Sequence, residues 1–80
     1  MTDTNLLRAK IDLSGHKLKW IAERCGITYA GLLKKINNET EFKASEMYVL
    51  KDLLNIDSDE FESIFFAKNV DKMATIQGGD

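Results

Sequence analysis

An all-α fold of five short helices is what this 80-residue sequence predicts, on three observations. Apolar side chains recur at three- and four-residue intervals in separate stretches, no proline interrupts them, and glycine or asparagine punctuates the breaks between them. A length of 80 residues allows one small core and no second one. With 44% hydrophobic and 30% charged residues, the composition excludes a disordered or a membrane-spanning chain.

Thr4 or Asn5 is the expected cap of the first helix, whose Leu6, Leu7, Ile11 and Leu13 fall on one side before Gly15 stops it. The second runs from Leu18 to Cys25, burying Leu18, Ile21, Ala22 and Cys25 and turning Lys19, Glu23 and Arg24 outward. Gly26 then turns the chain, because glycine enters the left-handed region without strain, and Ile27 follows as a buried anchor. Thr28 is placed to cap the third helix, with Leu32 and Ile36 as its apolar side.

Asn37 to Phe42 reads as a polar loop. The fourth helix, Ala44 to Leu54, carries Met47, Leu50, Leu53 and Leu54, with Tyr48 and Val49 beside them. Asp57 with Glu60 three residues later has the form of a capping box for a fifth helix through Phe61, Ile64 and Phe65. The Ile64–Phe66 run alone is compatible with a strand or a buried helix. One domain over residues 1–75 is expected, with 76–80 as a frayed tail.

The net charge of −2 conceals an uneven distribution. From Arg8 to Lys43 eight basic residues face four acids, a local +4; from Ala44 onward three lysines face eight acids, a local −5. A phosphate backbone responds to the nearest face within a Debye length of about 8–10 Å, so the basic half outweighs the total. A single cysteine and a single histidine make neither a disulfide nor an ordinary zinc site. Cys25 lies on a buried stripe and His16 reads as a surface or capping residue, so no metal, cofactor or small-molecule ligand is expected and no enzyme motif is present. No run approaches the roughly 20 apolar residues of a membrane helix and no signal-peptide pattern is seen, which points to the cytoplasm.

Two helices joined by a glycine turn, the second opening on small and polar residues, form the helix-turn-helix pattern. The stretches WIAERCGIT, LLKKINN and EFKASEM, with an aromatic pair and then NVDK, cover nearly the whole chain. In them the sequence resembles the Cro and repressor-type helix-turn-helix regulators of phages, and more closely short prophage-encoded members of that family. The resemblance implies a five-helix lambda-repressor-like DNA-binding domain whose third helix lies in the major groove. Carried over position by position, it implies that Thr28, Tyr29, Ala30, Leu33 and Lys34 face the bases. Lys17, Lys19, Lys35, Asn37, Asn38 and Lys43 are candidates for the phosphate backbone.

The sequence departs from the family at the second helix, where Lys17 and Leu18 stand for a usual Thr-Gln pair, and at Trp20, commonly a polar position. Trp20 packed partly on a neighbouring helix is the plainer expectation; exposed, it would mark an interface. A domain of this size reads few base pairs, so a homodimer on double-stranded operator DNA is expected. Phe61, Ile64, Phe65, Phe66 and Val70 are its candidate contact. The alternative is the same fold acting as a protein-interaction module for a phage repressor or host factor.

Overall fold

A computed structural model describes residues 1–67. They form α1 (Thr4–Ser14), α2 (Leu18–Cys25), α3 (Tyr29–Ile36), α4 (Ala44–Leu53) and α5 (Ser58–Phe65), with no strand among the described residues. Val70, the expected boundary at residue 75 and the expected tail 76–80 lie outside the described residues. No helix among the described residues is long and apolar enough to cross a membrane.

The first turn of a helix has no partners of its own for its N–H groups, and the starts of α1, α3 and α5 meet this with a capping side chain, whereas α2 has none. Thr28 Oγ1 accepts from Gly31 N–H at 3.0 Å, and Asp57 and Glu60 form the reciprocal box, at 2.8 Å from Glu60 N–H to Asp57 Oδ1 and 3.1 Å from Asp57 N–H to Glu60 Oε1. The cap of α1 differs from the sequence expectation. Asp3, not Thr4 or Asn5, accepts from Leu6 N–H at 3.1 Å, because the Thr4 hydroxyl is taken by a distant acceptor, Ile36 O at 2.6 Å.

Four helix ends pass through the left-handed region: Gly15 (φ 75°), Gly26 (φ 74°), Asn38 (φ 65°) and Asn55 (φ 55°). At Gly26 the pattern is a Schellman end, with Ile27 N–H donating to Ala22 O at 3.0 Å and Gly26 N–H to Glu23 O at 3.1 Å. Asn38 and Asn55 close α3 and α4 in the same way, through Glu39 N–H to Lys34 O and Ile56 N–H to Lys51 O.

The core gathers Leu7 and Ile11 of α1, Ile21 and Ala22 of α2, Leu32 and Ile36 of α3, Leu50 of α4, and Ile64 and Phe65 of α5, with Phe42, Leu54 and Ile56 from the connections. Burying a side chain of this size stabilises the fold by about 1.5–3 kcal/mol, which is why these helices need one another. The Ile64–Phe66 run resolves as helix up to Phe65, whose ring meets Phe42 edge-on at 5.5 Å. Leu6 and Leu13 correct the expected face of α1. They are 44% and 83% exposed, because the inward stripe is Leu7 and Ile11 and these two fall a part-turn away from it.

Candidate nucleic-acid interface

Gly26, Ile27 and Thr28 make the short turn between α2 and α3. Ala22 is buried at the crossing of the two helices, and Ile27 packs partly against the core. Leu32 and Ile36 turn inward, so helical periodicity directs Ala30 and Lys34 away from the core, with Tyr29 beside them. Tyr29, Ala30 and Lys34 are exposed and Leu33 is half-buried on the same side. Thr28 is exposed with its hydroxyl already engaged as the cap of α3.

Lys17 precedes α2 without capping it, which its ammonium could not do, having no acceptor. Lys17 and Lys19 are exposed, and with Leu18 and Tyr29 they line an open cleft of about 340 Å³ where the starts of α2 and α3 meet. Glu23 is the single acid between Ser14 and Asn38. Helix N-termini carry partial positive charge, so this corner combines two lysines with two such ends.

Three of the expected backbone-facing residues sit otherwise than the sequence suggested. Lys35 does not stand free: its Nζ reaches Glu46 Oε1 at 2.5 Å, with the two side chains 13% and 6% exposed, so it ties α3 to α4. Asn38 turns its amide onto Thr2, accepting from Thr2 N–H at 2.9 Å and donating to Thr2 O at 2.7 Å. Asn37 accepts from Arg8 Nη2 at 3.3 Å and is otherwise exposed. Lys43 precedes α4 with an exposed side chain. Its backbone N–H donates to the same Glu46 oxygen at 2.9 Å.

Burial by itself would push the Glu46 carboxyl up; the hydrogen bonds from Lys35 and the Lys43 backbone, with the charges of both lysines, overcome it and hold the carboxyl below its usual range. Burial, and then the Glu46 charge, push the Cys25 thiol up against a smaller opposing effect of Lys35. Cys25 therefore stays protonated at neutral pH and serves as a small, half-buried packing group.

The expected dimer contact is divided. Ile64 and Phe65 are core residues and cannot meet a partner without unfolding α5, while Phe61 is half-buried and Phe66 is 57% exposed. Sequence reasoning missed Tyr48. It is exposed and stacks on Phe61 with centroids 5.4 Å apart, so an aromatic surface of Tyr48, Phe61 and Phe66 joins α4 to α5. Its signal was present: on α4 Tyr48 falls off the stripe that Leu50 buries. Trp20 lies on the outer face of α2 between the His16 ring, 4.3 Å away, and the Arg24 guanidinium, 5.7 Å away.

Comparison with protein-family models, with curated proteins and with solved structures finds no match to this chain.

Proposed function

We propose that the protein is a sequence-specific DNA-binding regulator of the Cro and repressor type, with a lambda-repressor-like domain that reads an operator through α3. One observation carries this reading: Thr28, Tyr29, Ala30 and Lys34 stand outward on a helix with no acid, beside the Lys17 and Lys19 corner. Lys34 suits guanine acceptors, and Ala30 and Leu33 suit a thymine methyl. Lys17, Lys19 and Lys43 neutralise phosphates; Lys35 and Asn38 leave that set for structural duties. The protein acts in the cytoplasm as a homodimer on half-sites about 34 Å apart, joined through the Tyr48, Phe61 and Phe66 surface.

The test is binding to the intergenic DNA beside its own gene, measured by fluorescence anisotropy across a salt series with random duplex as competitor. Three phosphate contacts per protomer give a slope of log K on log salt of about −3, and about −5 for a dimer. An operator that competes no better than random DNA overturns the reading.

A second reading keeps the fold and makes it a protein-interaction module. Trp20 favours it, since 39% of an indole is exposed on the helix face furthest from the core, flanked by two cationic or ionisable side chains. The same competition experiment separates the two.

A further inference from the structure

Residues 1–4 pass between the last turn of α3 and the last turn of α5. On the α5 side, Asp3 N–H donates to Ile64 O at 2.7 Å and Ala67 N–H donates to Met1 O at 3.1 Å. On the α3 side, Thr4 Oγ1 donates to Ile36 O at 2.6 Å, and the Asn38 amide pairs with both main-chain groups of the buried Thr2. A side-chain amide has the donor and acceptor of a peptide group, so Asn38 adds to Thr2 as a neighbouring strand would.

The turn accepts an asparagine, as Asn55 shows at the end of α4, but does not require its amide. At φ 65° after a Schellman end, glycine is the residue that fits without strain, and it would close α3 equally well. What glycine lacks is the amide. On these contacts, and resting on the DNA-binding reading above, we infer that Asn38 is a positioning residue. It fixes the tilt of α3 against residues 1–4, and through them against α5.

The leverage is large for so short a helix. Eight residues at 1.5 Å rise span about 12 Å, so a 10° pivot at the Asn38 end moves the Thr28 end by on the order of 2 Å. Base-edge hydrogen bonds lose most of their strength over a fraction of that displacement, whereas contacts to phosphates from long lysines follow the movement. Loss of the clamp therefore acts on sequence preference first.

The experiment replaces Asn38 in the full chain. Asn38→Gly keeps the left-handed turn and removes the amide; Asn38→Asp keeps the acceptor for Thr2 N–H and removes the donor. At a temperature where every variant is folded, the operator-to-random affinity ratio is expected to fall about tenfold or more in Asn38→Gly and at least as far in Asn38→Asp, whose second carboxylate oxygen faces Thr2 O where the amide donated. The salt slope stays unchanged in the neutral Asn38→Gly variant, because no phosphate contact is removed and no charge is added. Amide exchange in the last turn of α3 speeds up in both variants. A purely structural role would lower the midpoint of unfolding and leave the ratio where it was. An unchanged ratio in Asn38→Gly, beside a clear operator preference in the unmodified protein, overturns this inference alone. Absence of any operator preference in the unmodified protein removes the DNA reading and this inference with it.

Discussion

Replacing Lys35 with methionine removes the ammonium group that faces the buried Glu46 carboxylate at 2.5 Å, and the consequence can be worked through in pH. Glu46 is short and 6% exposed, so it cannot carry its charge out to water; left with the Lys43 N–H alone, it is relieved by taking up a proton. Holding a carboxyl of ordinary pKa 4.5 protonated costs about 1.4 kcal/mol per pH unit above that value. The cost of stranding the carboxyl is therefore capped at about 3.4 kcal/mol at pH 7 and about 0.7 kcal/mol at pH 5, in addition to the stabilisation that Lys35 gave the carboxylate; the pH 7 figure falls within the range seen when one partner of a buried pair is lost. For a domain of this size the pH 7 figure is a fall in Tm of about 14–27 °C.

The sign of the pH dependence distinguishes this from a lost surface contact. In the unmodified protein the folded carboxyl titrates below its unfolded value, so its contribution is complete above about pH 4.5 and fades as pH falls through the folded value. In Lys35→Met burial acts unopposed by the ammonium and the folded pKa rises, so stability is retained at low pH and lost as pH rises toward the new value. Urea titrations followed by circular dichroism from pH 4.5 to 7 measure the difference between the two proteins at each pH. Glu46→Gln should be milder and nearly flat in pH, because the Lys35 stem can carry its ammonium to water and the amide oxygen still accepts from Lys43 N–H. A Lys35→Met penalty that does not change with pH, or stays below about 1 kcal/mol at pH 7, refutes the argument and makes the pair a solvated one.

Four other outcomes follow from the same geometry. Lys34→Ala should reduce the operator-to-random ratio, whereas Lys43→Ala should weaken binding to all sequences and flatten the salt slope by about 1; equal uniform losses contradict the assignment of α3. Gly26→Ala has open space around the new Cβ and a left-handed backbone beneath it, so it should cost about 1–2 kcal/mol by strain alone. Gly31→Ala places its Cβ 3.0 Å from Thr28 Oγ1, setting a helix-propensity gain of about 1 kcal/mol against loss of a cap worth about the same, so thermal denaturation should show little net change. Phe66→Asp charges the exposed aromatic surface and should shift sedimentation on operator DNA from dimer to monomer; an unchanged dimer would clear that surface of the role.

Much of this fold was legible because its signals are local. Gly15, Gly26 and the Asp57–Glu60 pair act within a few residues of themselves, and the helix bounds fall close to where periodicity puts them. What periodicity could not decide was which of two adjacent apolar stripes on α1 turns inward, since Leu7 and Ile11 win only through partners on other helices. Lys35 shows how much of the site could have been read. It follows the buried Leu32 by three residues and precedes buried Ile36, so the helix wheel alone sets it nearer the core than Lys34; its partner Glu46 lies 11 residues away, beyond any local pattern. The Asn38 contact to Thr2 spans 36 residues and had no local signal at all.

These two ties define how α3 is held. Its hydrophobic side supplies only Leu32 and Ile36 as fully buried anchors, two residues one turn apart, which resist separation better than they resist rocking. Lys35 fastens one flank to α4 through Glu46, and Asn38 fastens the far end to residues 1–4. Both are polar, and both use side chains that composition alone assigns to solvent or to phosphate. Hydrogen bonds have fixed directions where apolar contact has none, so α3, which on the proposed DNA-binding reading presents Tyr29 and Lys34 at one angle, gains its orientation from the polar ties and its adhesion from the leucine and isoleucine beneath. Removing the Asn38 tie should therefore disturb the angle before the fold, and removing Leu32 or Ile36 the fold before the angle; removing Lys35 disturbs both, because it also strands the Glu46 charge.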